Sequence, residues 1–215
     1  LRSVVTGQDT NIGYLQECWR YNSITDAWTQ KANFPGAARA YDVGFAIGGK
    51  GYVGTGSEYD QDYYKDFYSY DTATDTWTRI ADFGGTARFA ASGFAVNGKG
   101  YVCFGGDTIT GVQNDMWEYD TGTKAWTQKT SNPGPTQIGT SGFVINNKIH
   151  VGSGTNNTTN YYKQLWQYST LTNTWASEAY LPGVSLAGCS AFAINDTGYV
   201  GLGIDSIASY FNTMY

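Results

Sequence analysis

Aromatic and polar positions alternate along this chain in a pattern that returns every 49 residues. In each period, an alternating segment leads through a polar turn to a tryptophan, and these four residues are Trp28, Trp77, Trp126 and Trp175. Alternation places successive side chains on opposite faces of a β-strand. Two strands joined by a tight turn are therefore predicted around each tryptophan, and Trp77 is expected to be largely buried in the seam between neighbouring repeats.

A second pair of strands is predicted after each tryptophan. The segment 44–47 reads Gly-Phe-Ala-Ile and is followed by Gly-Tyr-Val at 51–53, and similar pairs recur within 93–102, 142–151 and 191–200. Each period thus predicts four short strands, as in a four-stranded propeller blade. The predicted fold class is an all-β propeller with about four repeats of 49 residues.

The repeat resembles the kelch repeat. The second copy carries the resemblance best: residues 97–106 read Asn-Gly-Lys-Gly-Tyr-Val-Cys-Phe-Gly-Gly, and they are preceded by Arg88 and by Tyr-Asp at 70–71. The family's glycine doublet is complete only in this copy. The resemblance covers the whole chain and implies that residues 1–215 form one kelch-type β-propeller domain or a segment of one. Kelch propellers include peptide-binding domains, sugar-active enzymes and passive scaffolds, so the resemblance implies no single activity.

The two ends of the chain have the same phase in the repeat. Four periods place residues 1–19 and 197–215 at equivalent positions, so both ends are expected to supply the same strands of a blade. Kelch propellers usually have six or seven blades. We therefore expect partial blades at both ends and a chain that is a stretch of a larger propeller, with unpaired strand edges that favour association.

Composition and charge narrow the classes of partner. Charged residues are 14% and aromatic residues 16%, with 28 glycines, as expected for short strands and tight turns. The net charge is -5 and no basic run occurs, which argues against nucleic acid and acidic membrane surfaces as partners. No apolar stretch approaches the roughly 18 residues of a membrane-spanning helix, so no span is predicted in this segment.

Histidine and cysteine, which are common metal ligands, are few in this chain. The single histidine, His150, stands where the other copies have a tyrosine, which favours a strand residue over a ligand or base. One histidine excludes a copper site of the galactose-oxidase type, which needs two, and it argues against a zinc site. The three cysteines, Cys18, Cys103 and Cys189, are interpreted as small buried residues. No metal or cofactor is predicted.

The loops on one face are the candidate binding region. In a repeat protein, recurring residues build the repeat, and residues that break the pattern are candidates for function. Blade-specific sequence is concentrated in loops 57–66, 107–115 and 155–164, which the kelch resemblance places on one face beside the channel. The predicted ligand-binding residues are Arg39, Arg88, Tyr59, Asp62 and Gln137. Two roles stay open for Arg39 and Arg88, which share one phase: a structural link or an anion-binding group in a pocket.

These expectations lead to one function and one alternative. The first is a non-catalytic extracellular or cell-surface module that binds a protein or glycan through the loop face, or acts as a scaffold in a larger surface complex. Its location is implied by the resemblance to kelch arrays in surface and secreted proteins of Gram-negative bacteria. The alternative is a sugar-active enzyme resembling the kelch sialic-acid mutarotases. In it, Arg39 and Arg88 would hold a carboxylate, and Glu58 or Asp62 would move a proton.

Overall fold

The structure of the chain is a computed structural model that describes residues 2–9, 13–58, 62–206, 210 and 214. All of the named elements in these residues are β-strands. The first partial sheet consists of β1 (Arg2–Asp9), β2 (Gly13–Asn22) and β3 (Ala27–Lys31). Three four-stranded antiparallel sheets follow, which we call blades 1, 2 and 3. A last partial sheet of two strands ends the series.

Each blade runs outward through four strands in chain order. Blade 1 contains β4 (Val43–Ile47), β5 (Lys50–Gly54), β8 (Phe67–Asp71) and β9 (Thr76–Arg79), with a small hairpin, β6 (Ser57–Glu58) and β7 (Asp62–Tyr63), between its second and third strands. Blade 2 contains β10 (Ser92–Val96), β11 (Lys99–Cys103), β14 (Met116–Asp120) and β15 (Ala125–Lys129), with the hairpin β12 (Gly106–Asp107) and β13 (Gly111–Val112).

Blade 3 and the last partial sheet continue the same order. Blade 3 contains β16 (Ser141–Ile145), β17 (Lys148–Gly152), β18 (Leu165–Ser169) and β19 (Thr174–Ser177). The last partial sheet contains β20 (Ser190–Ile194) and β21 (Thr197–Gly201). The predicted all-β architecture of repeated four-stranded sheets is confirmed. No helix in the described part of the chain is long and apolar enough to cross a membrane.

Neighbouring blades pack by placing phenylalanine rings on glycines. A Cβ atom built on Gly100 of blade 2 would lie 2.3 Å from the ring of Phe45 in blade 1. At the next seams, a Cβ on Gly142 would lie 2.9 Å from the Phe94 ring, and one on Gly198 would lie 2.0 Å from the Phe143 ring. The bare backbone of one sheet therefore receives the apolar side chains of the inner strand before it, and buried clusters extend across the seams.

The repeat tryptophans lie at the outer part of these seams. The Nε1 groups of Trp77, Trp126 and Trp175 donate to the carbonyl oxygens of Ala32, Ala81 and Thr130, at 2.8, 3.2 and 2.7 Å. Trp77 was expected to be largely buried in its seam. It does lie in the seam, with its ring centroid 5.3 Å from that of Phe34, but it is only half-buried.

The ends of the chain have the phase that the repeat predicts. In the repeat, β1 corresponds to the second strand of a blade, and so does β21. The first partial sheet, as described, therefore has the second, third and outer strands of a blade, whereas the last partial sheet has the inner and second strands. Gly201 also forms an isolated bridge with Met214, where the third strand would begin.

His150 occupies the strand position that the sequence predicts. Its ring stacks on Phe143 with a centroid distance of 5.3 Å, as Tyr52 stacks on Phe45 in blade 1 at 5.4 Å. Burial lowers the pKa of His150, so the imidazole is a neutral packing group near pH 7.

Candidate functional site

Arg39 and Arg88 form equivalent buried ion pairs in blades 1 and 2. Both side chains are 0% exposed. Arg39 donates to both carboxylate oxygens of Asp66 at 2.6 and 3.0 Å and to the carbonyl oxygen of Thr55 at 2.9 Å. Arg88 makes the same bidentate contact with Asp115 at 2.6 and 2.9 Å. This is the geometry of the structural role, since each guanidinium group already holds a carboxylate of its own chain.

Aromatic rings complete the surroundings of both arginines. The guanidinium carbon of Arg39 lies 4.1 Å from the Tyr64 ring centroid and 4.9 Å from that of Phe34. That of Arg88 lies 4.8 Å from the Phe83 ring centroid. A ligand anion would have to displace an internal carboxylate to reach either group. Direct ligand contact, which the sequence suggested for both residues, does not fit this geometry.

Gln137 stands at the same position in blade 3 and is also fully buried. Neither its amide nitrogen nor its amide oxygen has a hydrogen-bond partner among the described residues. The position of Asp66 and Asp115 is taken here by Gln164, which donates instead to the carbonyl oxygens of Leu165 and Glu178. Blade 3 has therefore lost the ion pair, and Gln137 lies too deep to meet a ligand at the surface.

The other two predicted residues belong to the loop of blade 1. Tyr59 lies outside the described residues. Asp62 begins β7 and is exposed, opposite Glu58 in the small hairpin. Glu58 accepts a hydrogen bond from the Tyr64 hydroxyl at 3.2 Å. Of the four predicted residues that the structure describes, Asp62 is the one at an accessible surface.

A groove of about 660 Å³ separates the loops of blades 1 and 2 on the loop face. Tyr63 and Lys65 line it from blade 1, and Asp107, Ile109 and Trp117 line it from blade 2. Its floor is the segment 84–87, where a Cβ on Gly84 would lie 2.4 Å from the Trp117 ring. The glycine therefore lets the backbone pack directly against the indole.

The walls of the groove are held in place by hydrogen bonds. The Asp107 carboxylate accepts from the backbone nitrogen of Ile109 and from the Thr110 hydroxyl, both at 2.6 Å, which fixes the loop as a tight turn. Burial alone would raise the pKa of Asp107, but the bonds from Thr110 and Ile109 outweigh it and lower the pKa, so the group is ionised near pH 7. The Tyr63 hydroxyl reaches the Thr108 hydroxyl at 3.4 Å and links the two loops.

The lining combines apolar surface with charges of both signs. Ile109 is 84% exposed at the tip of its loop, and Trp117 is half-buried with its Nε1 group donating to Asp115 at 2.8 Å. Lys65 is exposed on the opposite wall. Aromatic and aliphatic surface beside a few fixed polar groups suits a sugar ring or the side chains of a protein segment.

The sequence analysis did not single out Glu118, a buried carboxylate on the face opposite the loops. Glu118 is 8% exposed and accepts from the Lys99 ammonium at 2.8 Å and the Tyr101 hydroxyl at 2.7 Å, with Lys129 at 3.7 Å. Its position carries Ser69 in blade 1 and Gln167 in blade 3, so it breaks the repeat, and the rule applied to the loops could have found it. Burial opposes ionisation, but bonds from Lys99 and Tyr101 outweigh it and lower the pKa, so Glu118 is a charged structural group.

Comparison with known proteins agrees with the fold. Residues 3–201 match the family model described as the KLHDC2/KLHL20/DRC7 Kelch-repeats domain. The chain is similar to the solved structure titled "Structure of YjhT", with a TM-score of 0.79 and 17% sequence identity over 94% of this chain and 70% of that one. Matches extend to 273 solved chains, so this likeness identifies a widely used fold and not an activity. The comparison with curated protein sequences gave no match.

Proposed function

The chain belongs to the kelch-repeat family, and from that premise we propose that it is a non-catalytic module that binds a protein or glycan through its loop face. The observation that carries the proposal is the groove between loops 57–66 and 107–115. Those two loops differ in sequence between blades, whereas the opposite face repeats near-identical turns such as Gly98-Lys99. A partner that distinguishes this propeller from its relatives has to contact what differs.

The shape and chemistry of the groove support this proposal. Its volume of about 660 Å³ matches the size of a small-ligand or side-chain pocket. Tyr63, Ile109 and Trp117 offer apolar contact area, and Asp107 and Lys65 offer fixed charges of opposite sign. Because the charges line an open groove, binding should be of weak to moderate affinity and should depend on salt. An extracellular or bacterial cell-surface location, within a larger surface complex, is proposed with it and rests on the kelch resemblance.

The geometry favours binding over the sugar-active alternative. That mechanism needs Arg39 and Arg88 to hold a substrate carboxylate, but both guanidinium groups are buried against Asp66 and Asp115. Glu118, the carboxylate with the most cationic surroundings described, has a lowered pKa, which makes it a poor general acid near neutral pH.

The test pairs two exposed aliphatic residues on opposite faces. Ile109 is 84% exposed beside the groove, and Leu171 is 93% exposed on the opposite face. A glycan array and a panel of surface proteins would identify a binder. Ile109→Asp should then weaken its binding by about tenfold or more, because it puts a charge into the apolar wall. Leu171→Asp should leave the affinity unchanged.

Asp62→Ala adds a second position on the same face. It removes an exposed charge and should change the salt dependence of binding more than the affinity at high salt. A binder that tolerates Ile109→Asp and Asp62→Ala but is lost with Leu171→Asp would place the site on the opposite face and overturn the proposal.

A further inference from the structure

The seam on the open side of blade 1 differs from the three seams that follow it. Gly100, Gly142 and Gly198 each lie under a phenylalanine ring from the preceding inner strand. Gly51 has the phase of Gly100 and Gly198, but a Cβ on it would meet only the Tyr70 Cβ atom, at 3.9 Å. At this phase, Gly100 and Gly198 each receive a ring and blade 3 carries the buried Ile149, whereas the surface at Gly51 is uncovered.

This uncovered surface forms a groove of about 490 Å³ on the inner half of blade 1. Gly44, Ala46, Gly51, Tyr70 and Trp77 are among the residues that line it. Gly44 and Ala46 are exposed, whereas the equivalent residues of blade 2, Gly93 and Ala95, are partly covered.

The outer half of the same face is covered by the first partial sheet and the segment after it. Phe34 packs on Val53, Tyr68 and Trp77, and the Trp77 indole bonds to Ala32. Among the described residues, the outer half of this seam is therefore packed, and the position of an inner strand is open.

The strand that would border this opening has an edge available for pairing. Within the described residues, β1 is the edge strand of its sheet and pairs as a strand only with β2. In blade 1 the corresponding edge of β5 is paired with β4, in a register that sets Phe45 opposite Tyr52. The residue of β1 with the phase of Tyr52 is Ser3.

We propose that this groove binds one extended segment with the pattern of a kelch inner strand, a small residue followed by Phe, by Ala or Val, and by an aliphatic residue. The segment adds antiparallel to β1 with its phenylalanine opposite Ser3, and the ring lies on Gly51 between Gly44 and Tyr70. The occupant is identified by the three other seams, where a strand with this pattern fills the same place. Backbone bonds to β1 supply affinity, and the phenylalanine pocket supplies specificity.

The probe is a synthetic peptide with the sequence of residues 41–50, which contains Gly-Phe-Ala-Ile. It should bind the 215-residue chain saturably in isothermal titration calorimetry and protect from hydrogen exchange those backbone amides of residues 2–5 that point away from β2, which are every second one. The same peptide with Phe45→Ala should bind at least tenfold more weakly, since burying the ring contributes most of the apolar contact.

The matched protein variant is Gly51→Val. Gly51 has an ordinary negative φ and space around it, so the variant should fold and melt as the wild type does while filling the pocket. It should weaken peptide binding at least tenfold. No binding, equal binding of the Phe45→Ala peptide, unchanged binding to the Gly51→Val protein, or binding without protection of residues 2–5 would each overturn the proposal.

Discussion

At the scale of single residues, one position of the repeat is filled by different chemistry in successive blades. Arg39 and Asp66, and Arg88 and Asp115, are separated by the same 27 positions and form the same bidentate pair. The equal spacing is visible in the sequence, so the pairing could have been predicted from it. That the arginines are fully buried could not, because burial depends on how the rings of Phe34 and Phe83 close over them.

Replacing Arg88 by glutamine should show how much the Arg88–Asp115 pair stabilises the fold. Arg88→Gln leaves the Asp115 carboxylate, 14% exposed, without its counter-ion and should destabilise the fold by about 3–5 kcal/mol. The double variant Arg88→Gln with Asp115→Gln has the two glutamines that blade 3 carries at these positions. Its free energy of unfolding should fall by less, because no charge is left buried without a partner. Urea unfolding of both variants would measure this. A single variant as stable as the wild type would show that the pair contributes nothing.

Asp75 should make one blade seam sensitive to acid. Hydrogen bonds from the Tyr70 hydroxyl and the Ala32 backbone nitrogen, with help from Lys31, lower the pKa of Asp75 to about 2. A carboxyl group with a depressed folded pKa stabilises the protein fully above its unfolded value near 3.8 and loses that contribution as the pH falls towards 2.

Blade 3 supplies the matched replacement for this test. Asn173 accepts a hydrogen bond from the backbone nitrogen of Thr130, as Asp75 does from that of Ala32. Asp75→Asn should fold, and its melting temperature should fall less between pH 4 and pH 2 than that of the wild type. Equal pH profiles would refute a titrating role for this seam.

At the scale of elements, the repeat predicted the four long strands of each blade and missed the short ones. The inner strand expected at 44–47 is observed at Val43–Ile47, because its apolar alternation and its register with β5 are both strong. The hairpins β6–β7 and β12–β13 consist of strands of two residues, too short for any period to show. These hairpins build the walls of the loop-face groove, so the site was located only as a set of variable loops.

Two glycines of equal phase should respond differently to the same substitution. Gly100→Val forces a side chain into the Phe45 ring and should destabilise the chain by roughly 1–3 kcal/mol. Gly51→Val meets open space and should cost less than about 0.5 kcal/mol, as a surface change does. Thermal unfolding of the two variants side by side would measure the difference. Equal losses would mean that ring-on-glycine packing does not define the seams.

At the scale of the whole molecule, the two kinds of surface that pack together in a blade seam are each left uncovered once. The phenylalanine side is uncovered on the last partial sheet, and the glycine side is uncovered on blade 1. Phe192 and Ile194 of β20 are 44% and 56% exposed, whereas Phe45 and Phe94, the counterparts of Phe192 in blades 1 and 2, are 9% and 8% exposed. The groove over Gly51 is the complementary half. The equal phase of residues 1–19 and 197–215 is visible in the sequence, but the exposure of Phe192 and Ile194 is not, because it depends on packing against a neighbouring sheet.

The 215-residue chain should therefore associate with itself at micromolar concentrations. Uncovered sheet faces and a free strand edge attract like surfaces in other copies, and the effect should increase with temperature as hydrophobic association strengthens. Phe192→Asp with Ile194→Lys places charges on the exposed face and should reduce the mass measured by light scattering towards that of a monomer. Because both side chains already face solvent, the variant should unfold at nearly the wild-type temperature. A wild-type chain that stays monomeric and melts in one sharp transition would contradict this expectation, since its end faces would then need no covering.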